Sequence, residues 1–373
     1  MIVGVPTETK NREYRVSLTP AGVHHLVSEG HRVIVQQGAG LGSALDDDDY
    51  RAAGATIVPT AERVWGDAEL VCKVKEPTPG EFHLLRPDLV LFTYLHLAAD
   101  RPATDALLAA GTTAIAYETV QLPDGSLPLL APMSEVAGRL ATQVGAYHLM
   151  RNEGGAGRLL GGVPGVPPAR VVVLGAGVVG RHAAEIAVGM RADVTMLDLS
   201  MPRLREVDAA FGGRVRTLAS SRWTLEREVA AADLVIGAVL VPGARAPRLV
   251  LDELVARMRP GSVLVDVAVD QGGCFESTRP TTHDDPTFVV HDCVFYCVAN
   301  MPGAVPVTST HALTNVTLPY VAALADRGWR GAVADDPALA GGLTTTGGRL
   351  VNAAVADAHG YRCVPIAEAV ATA

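Results

Sequence analysis

Five polar side chains stand at or after the ends of short apolar runs, and their types suit carbonyl and proton chemistry. Arg15 lies in "ETKNREYRVSLTP", after the first apolar run; Lys75 follows "LVCKV", His96 follows "LVLFTYL" and Glu118 follows "TTAIAY". Asp270 closes "LVDVAVDQGG", much further along the chain. A guanidinium grips a carboxylate through two parallel hydrogen bonds. An ammonium polarises an oxygen that is becoming an alkoxide. An imidazole ordinarily titrates near neutrality, so it takes and returns protons. A carboxylate orients water or an ammonium. Taken singly, each has a plainer reading: a loop Lys or Arg is usually a solvated charge, and a lone His is usually structural. Their joint position at the ends of apolar runs favours a site, because open α/β sheets bind ligands at the carboxyl ends of their strands.

A second constellation lies mid-chain. "VVVLGAGVVG" runs an apolar strand into Gly175, Gly177 and Gly180, and "RHAAEIAVGM" then reads as a helix. The first glycine permits a tight turn, the second lets a pyrophosphate approach the backbone, and the third lets helix and strand pack closely. The helix start offers N–H groups and partial positive charge to phosphates. Asp198 ends the next apolar run, "DVTMLD", where an acid accepts hydrogen bonds from an adenosine ribose. A carboxylate there repels a 2′-phosphate. Arg203 could favour one or lie along the adenine, and the balance favours NAD over NADP.

These residues need elements to hold them. In the first third, "IVGVP" (2–6), "RVIVQ" (32–36), "LVCKV" (70–74), "LVLFTYL" (89–95) and "TTAIAY" (112–117) read as strands with helical patterns between them. Thr19 and Pro20 look like the cap and first residue of a helix that Gly30 stops. The acidic run Asp46–Asp49 reads as a solvated helix start; a calcium loop would space its acids around a glycine. A long helix of small apolar residues (134–151) leads into a Gly/Pro-rich loop (152–169). A second αβ series follows through 193–198, 233–239, 262–268 and 293–298, and the chain beyond Met301 reads as largely helical. Alternating strands and helices predict parallel, doubly wound sheets. The expected organisation is a domain of residues 1–129 and 307–373 with a Rossmann domain, 130–306, inserted.

The 373-residue length suits two domains, and 49% apolar residues with 5% aromatics suit aliphatic α/β cores. A net charge of −9 without a Lys/Arg block argues against nucleic acid and anionic membranes as partners. The uncharged stretch at 293–325 contains Pro302, Pro306 and Pro319 and is not expected to span a bilayer. Five cysteines without zinc-type pairs, and no basic apolar leader at Met1, predict a reduced, cytoplasmic setting.

Long ungapped words carry a resemblance over essentially the whole chain. "GVPTETKNREYRVSLTPAGV", "KVKEP", "LFTYLHLA", "AYETVQ", "LPLLAPMSEVAGRLA", "VIGAVLVPG", "DVAVDQGGCFE", "PTTHDDPTF" and "YCVANMPGAVP" resemble the alanine dehydrogenase and pyridine nucleotide transhydrogenase family. The resemblance implies that a substrate domain precedes the Rossmann domain and is completed by the C-terminal segment. It implies that Arg15 and Lys75 hold the carboxylate and carbonyl of pyruvate, with His96 and Asp270 as acid–base residues. It implies cofactor contacts from Ser134, Val178, Val179, Asp198, Arg203, Ser220, Val239, Leu240, Val267, Ala268, Val269, Asp270, Arg279, Val298, Ala299, Asn300 and Met301. Some members are described with an acid and a histidine as metal ligands where this chain has Ala323 and Arg327, so no metal is expected. The implied reaction converts L-alanine, NAD⁺ and water to pyruvate, ammonium and NADH, in a homohexamer. Alternatives are a transhydrogenase-like subunit, an enzyme for another amino acid, as in relatives that handle lysine or saccharopine, and a catalytically silent NAD sensor.

Overall fold

The computed structural model describes residues 1–239 and 247–372, and the chain divides into two units. Met1–Met133 with Val305–Ala373 form the first; Ser134–Ala304 form the second.

In the first unit the order is β1 (Ile2–Val5), α1 (Pro20–Ser28), β2 (Arg32–Gln36), α2 (Asp47–Ala52), β3 (Thr56–Val58), α3 (Ala61–Asp67), β4 (Leu70–Cys72), β5 (Val90–Thr93), α4 (Arg101–Ala110) and β6 (Thr113–Ala116). Strands β3, β2, β1, β4, β5 and β6 lie side by side in that order, all parallel. The order reverses between β1 and β4, so the loops leaving these two neighbours part to opposite sides and open a crevice. Local sequence sets the helices: Thr19 Oγ1 accepts from Gly22 N–H ahead of Pro20, and Asp46 caps α2 in a capping box with Asp49. Both faces of the sheet are covered. Val3, Val33, Leu70, Phe92 and Ile115 enter one core, while Ile34, Val71, Leu91 and Ala114 enter another. That two-residue alternation is what a strand buried on both faces requires.

Helix α5 (Ala131–His148) carries the chain across the unit boundary. The boundary falls inside this helix, at 133/134, where no loop marks it, rather than just before it at 129/130. The return falls at 304/305, not at 306/307, immediately before the next long helix.

The second unit contains β7 (Arg170–Leu174), α6 (Val178–Gly189), β8 (Asp193–Asp198), α7 (Met201–Phe211), β9 (Val215–Ala219), α8 (Arg222–Ala231), β10 (Leu234–Gly237), α9 (Asp252–Val255), β11 (Val263–Asp266), β12 (Thr287–Val290) and β13 (Cys293–Tyr296). Its sheet runs β12-β13-β11-β10-β7-β8-β9, parallel except for the edge strand β12. This is the Rossmann order, with its reversal between β7 and β10.

The chain then rejoins the first unit through α10 (Pro306–Asp335), α11 (Pro337–Gly342), β14 (Leu343–Thr346), β15 (Arg349–Leu350), α12 (Ala353–His359) and α13 (Ile366–Thr372). Leu313, Val321, Leu324 and Val333 of α10 complete the core that holds Val3 and Phe92. The end of the chain is largely helical, as expected, but it also contributes a hairpin that the sequence reading did not place: β14 pairs antiparallel with β6 and turns back into β15. The signal was legible: three threonines ahead of Gly347-Gly348 favour an extended strand and a tight hairpin turn. Among the described residues no helix is long and apolar enough to cross a membrane.

Candidate active site

In the first unit the predicted polar residues leave the carboxyl ends of four parallel strands. Arg15 follows β1, Lys75 follows β4, His96 follows β5 and Glu118 follows β6. Arg15 is buried, with 3% of its surface exposed, which rules out the solvated-charge reading. Glu13 holds it bidentately: Arg15 Nε donates to Oε1 at 2.7 Å and Nη2 to Oε2 at 2.6 Å. Its Nη1 approaches Met133 Sδ at 3.0 Å. Burial alone would lower the Arg15 pKa, but hydrogen bonding and charge from Glu13 outweigh it and leave it raised. The guanidinium is therefore a fixed cation with a set orientation.

Lys75 is also buried, and its peptide is tethered at both ends. Its N–H donates to Glu8 Oε2 at 3.3 Å, and its carbonyl accepts from Thr93 Oγ1 at 3.0 Å. The preceding N–H, of Val74, donates to Glu8 Oε1 at 2.6 Å. Between Glu8 and Glu81 lies Lys73, fully buried, with its Nζ 3.2 and 2.8 Å from the two carboxylates. Glu81 Oε2 further accepts from Thr9 Oγ1, Thr78 N–H and Thr78 Oγ1. Lys10 pairs with Glu76 beside them.

His96 occupies a left-handed corner (φ 48°, ψ 32°), unusual for a residue with a side chain. Glu118 holds that corner by accepting Leu95 N–H at 3.2 Å on both oxygens and His96 N–H at 2.6 Å on Oε1. The imidazole stacks on Tyr94, with ring centroids 5.9 Å apart and planes within 3°. Tyr94 is itself anchored through its hydroxyl to Leu129 O at 2.5 Å. The ring's Nδ1 lies 3.8 Å from Glu118 Oε1, and the side chain remains 46% exposed, so it is both oriented and reachable.

The second unit assembles the nucleotide constellation at the carboxyl end of its own sheet. Gly175 has φ 106°, and a Cβ there would stand 2.7 Å from Ala238 O. A Cβ on Gly180 would lie 1.8 Å from Gly175 O, so only glycine lets α6 sit this close to the turn. Gly177 differs: a Cβ there would meet nothing within 4 Å. Its missing side chain leaves room for a ligand, not for the fold. Gly177 also caps α6 without any side-chain hydrogen bond, so the helix presents backbone N–H groups where an anion would be held. The residues fit a dinucleotide.

Asp198, at the end of β8, does more than the sequence indicated. It accepts Ala176 N–H at 2.6 Å and Ser200 N–H at 2.7 Å, tying the glycine turn to the start of α7. Arg203 lies in the first turn of α7, and Ser220 N–H donates to Asp198 O at 2.9 Å. Val178 and Val179 open α6, and Ser134 lies on α5. Val239 follows β10; Leu240 lies outside the described residues. Val267 N–H donates to Gly237 O, and Ala268 N–H donates to Asp266 Oδ1 at 3.1 Å. Val269 and Asp270 form a short 3-10 turn, with Asp270 exposed. Arg279 stacks over Phe288 at 4.2 Å. Val298 and Met301 are buried, Ala299 N–H donates to Thr281 O, and Asn300 has a left-handed backbone (φ 65°).

Arg15, Lys75, His96 and Glu118 thus share one sheet end in the first unit, while Asp270 and the nucleotide set belong to the second. Sequence reasoning missed Glu8, Glu13, Lys73, Glu81 and Asp266. The last is fully buried and accepts Ala268 N–H and Cys274 N–H, shaping the loop that bears Asp270; burial raises its pKa. Carboxylates two and seven residues before Arg15 were a readable hint at its partners, since a buried cation needs an acid nearby.

Two sheets with Rossmann strand order, one bearing a glycine cradle and the other a cluster of oriented cations and an imidazole, define a dinucleotide-binding protein of the dehydrogenase type. Comparison with known proteins narrows this. Residues 4–137 match the alanine dehydrogenase/PNT N-terminal domain and residues 141–353 match the alanine dehydrogenase/PNT C-terminal domain. The chain belongs to the alanine dehydrogenase/PNT family. It is 65% identical to the alanine dehydrogenase of Mycolicibacterium smegmatis over 356 residues, covering 95% of this chain and 96% of that one. A solved L-alanine dehydrogenase structure superposes with a TM-score of 0.94 at 54% identity, covering 96% of this chain and 99% of that one. The solved transhydrogenase of Sinorhizobium meliloti is similar at 26% identity, TM-score 0.80, covering 95% of this chain and 100% of that one.

Proposed function

We propose that this chain is an NAD-dependent L-alanine dehydrogenase, interconverting L-alanine, NAD⁺ and water with pyruvate, ammonium and NADH. The observation that carries the reading is the convergence of Arg15, Lys75 and His96 at neighbouring strand ends. That cluster sits in a chain similar over nearly its whole length to alanine dehydrogenases. The nicotinamide dinucleotide supplies the hydride acceptor. Arg15, held rigid by Glu13, binds the substrate carboxylate. Lys75 stabilises negative charge on the oxygen of the carbinolamine. His96, held by Glu118 and Tyr94, takes a proton from the attacking water and returns one to the departing amine. Asp270 orients water or ammonium. The first unit is the substrate half and the second the nucleotide half.

Asp198 supports NAD over NADP, because a carboxylate already pinned by two backbone N–H groups cannot swing away from a 2′-phosphate. A cytoplasmic homohexamer completes the reading. The test is a panel of amino acids with NAD⁺ or NADP⁺, followed as absorbance of the reduced cofactor. L-Alanine with NAD⁺ should exceed leucine, lysine and glutamate; equal or faster turnover of a bulky or dibasic amino acid refutes the assignment. The transhydrogenase-like match motivates a second reading, marked by hydride exchange between nucleotides without an amino acid.

A further inference from the structure

The loops that leave β1 and β4 diverge at the strand-order reversal, and one side chain bridges them. Glu8, on the loop after β1, reaches the backbone on the loop after β4. Its Oε1 accepts Val74 N–H at 2.6 Å and its Oε2 accepts Lys75 N–H at 3.3 Å. Lys73 Nζ stands 3.2 Å from the same Oε2 and is shared with Glu81. The side chains of Glu8 and Lys73 are 3% and 0% exposed, so solvent does not compete for these bonds. On the other side of the Lys75 peptide, the fully buried Thr93 donates to Lys75 O at 3.0 Å. A residue whose N–H and C=O are both held has its two flanking peptides fixed and with them its Cα–Cβ direction, so the origin of the ammonium-bearing arm is fixed too.

We propose that Glu8, assisted by Thr93, is a positioning residue that sets the Lys75 ammonium against the substrate's carbonyl oxygen. This rests on the assignment of Lys75 to that oxygen, and it predicts a selective defect. Arg15 takes its bidentate hydrogen bonds from Glu13 and feels Glu8 through charge, so recognition of a carboxylate should suffer less from Glu8→Gln than recognition of the adjacent oxygen. Gln in place of Glu8 keeps the size but offers one acceptor oxygen to three donors and turns its NH₂ toward one of them.

The experiment uses the full-length enzyme with pyruvate, ammonium and NADH. The probes are oxamate, which carries a carboxylate and a carbonyl oxygen, and propionate, which carries only the carboxylate. For Glu8→Gln, the KM for pyruvate and the inhibition constant of oxamate should rise about tenfold, the cost of one lost charge-assisted bond. The inhibition constant of propionate and the KM for NADH should stay within about twofold of the parent. Thr93→Val, an isosteric change that removes one tether, should shift the oxamate-to-propionate ratio in the same direction by less, and it keeps the test open if Glu8→Gln fails to fold. Equal weakening of oxamate and propionate, or of neither, in the folded variants overturns the positioning role. Lys75→Met is the control for the underlying assignment: if it leaves the oxamate-to-propionate ratio unchanged, Lys75 does not serve the carbonyl oxygen, and that reading fails rather than the strap.

Discussion

Replacing Gly177 by alanine separates what the glycine turn does for the fold from what it does for the nucleotide. The backbone there (φ −74°, ψ −168°) is open to any residue, and a Cβ would meet no heavy atom within 4 Å. The folded state therefore accepts alanine, and losing glycine's freedom in the unfolded chain should stabilise by about 0.4–1 kcal/mol. The ligand is affected differently. A methyl group in front of the first turn of α6 stands where the second glycine of such a turn lets phosphates meet backbone N–H groups. Two charge-assisted bonds of about 1.5–3 kcal/mol each would lengthen or break. That amounts to roughly 3–6 kcal/mol, or a Kd weaker by on the order of 10²–10⁴. The assay pairs an NADH fluorescence titration with thermal unfolding of the same sample. Gly180→Ala is the contrast, because its Cβ would be driven within 1.8 Å of Gly175 O and the domain itself should fail. A Gly177→Ala protein that binds NADH as tightly as the parent would refute the cradle. One that melts markedly earlier would show that the open space around Gly177 serves packing after all.

Three further outcomes follow from the geometry. His96→Ala should lower kcat by on the order of 10²–10⁴, the span of general acid–base catalysis, with the Kd for NADH unchanged because the glycine turn lies in the other unit; near-parental kcat would make the imidazole structural. Asp198→Asn should tighten NADP⁺ binding relative to NAD⁺ by removing the charge while leaving an acceptor for the Ala176 or Ser200 N–H, as titration of both nucleotides would reveal. Glu76 is buried, which pushes its carboxyl up, yet Lys75 and Lys10 outweigh burial and hold it below its ordinary 4.5. A depressed carboxylate stabilises the fold above its unfolded pKa, and the benefit disappears as pH falls through the lower, folded value. Melting temperatures of the parent and Glu76→Gln should therefore differ at pH 7 and converge once the pH falls below the lowered, folded value; a gap that persists in strong acid would mean the loss is one of packing.

Much of this was legible because it is written in local, periodic code. Val171–Leu174 and the three glycines specify strand, turn and helix within a few residues, and Thr19-Pro20 and Asp46–Asp49 specify helix starts. The end of the chain was harder. Leu343–Thr346 carries strand residues, but after thirty residues of α10 its neighbours read as more helix, and its partner is β6, more than two hundred positions earlier. The site divides in the same way. Lys75 and His96 stand out because they end apolar runs, and Arg15 stands out in the polar stretch that follows the first one. Glu8, Lys73 and Glu81 do not, since a charged residue in a polar loop looks solvated until its partners from other loops are known.

That hidden part tells most about purpose. A fully buried Lys73 between two carboxylates is a poor stability device, because desolvating three charges offsets most of their attraction, and a well-packed apolar trio of similar volume would often do as well. What an apolar trio could not do is accept the Val74 and Lys75 N–H groups that donate to Glu8 where the two loops part. Those donors need an acceptor. A carboxylate supplies it on two oxygens at once, a buried carboxylate needs a cation, and the cation's remaining protons need a second acid, so the strand-order reversal itself calls for a chain of the form Glu8–Lys73–Glu81. The same reversal is where an α/β sheet binds its ligand. The charges that close the backbone there also fix the peptide of Lys75, and the architecture that creates the crevice thereby orients the residue that works in it.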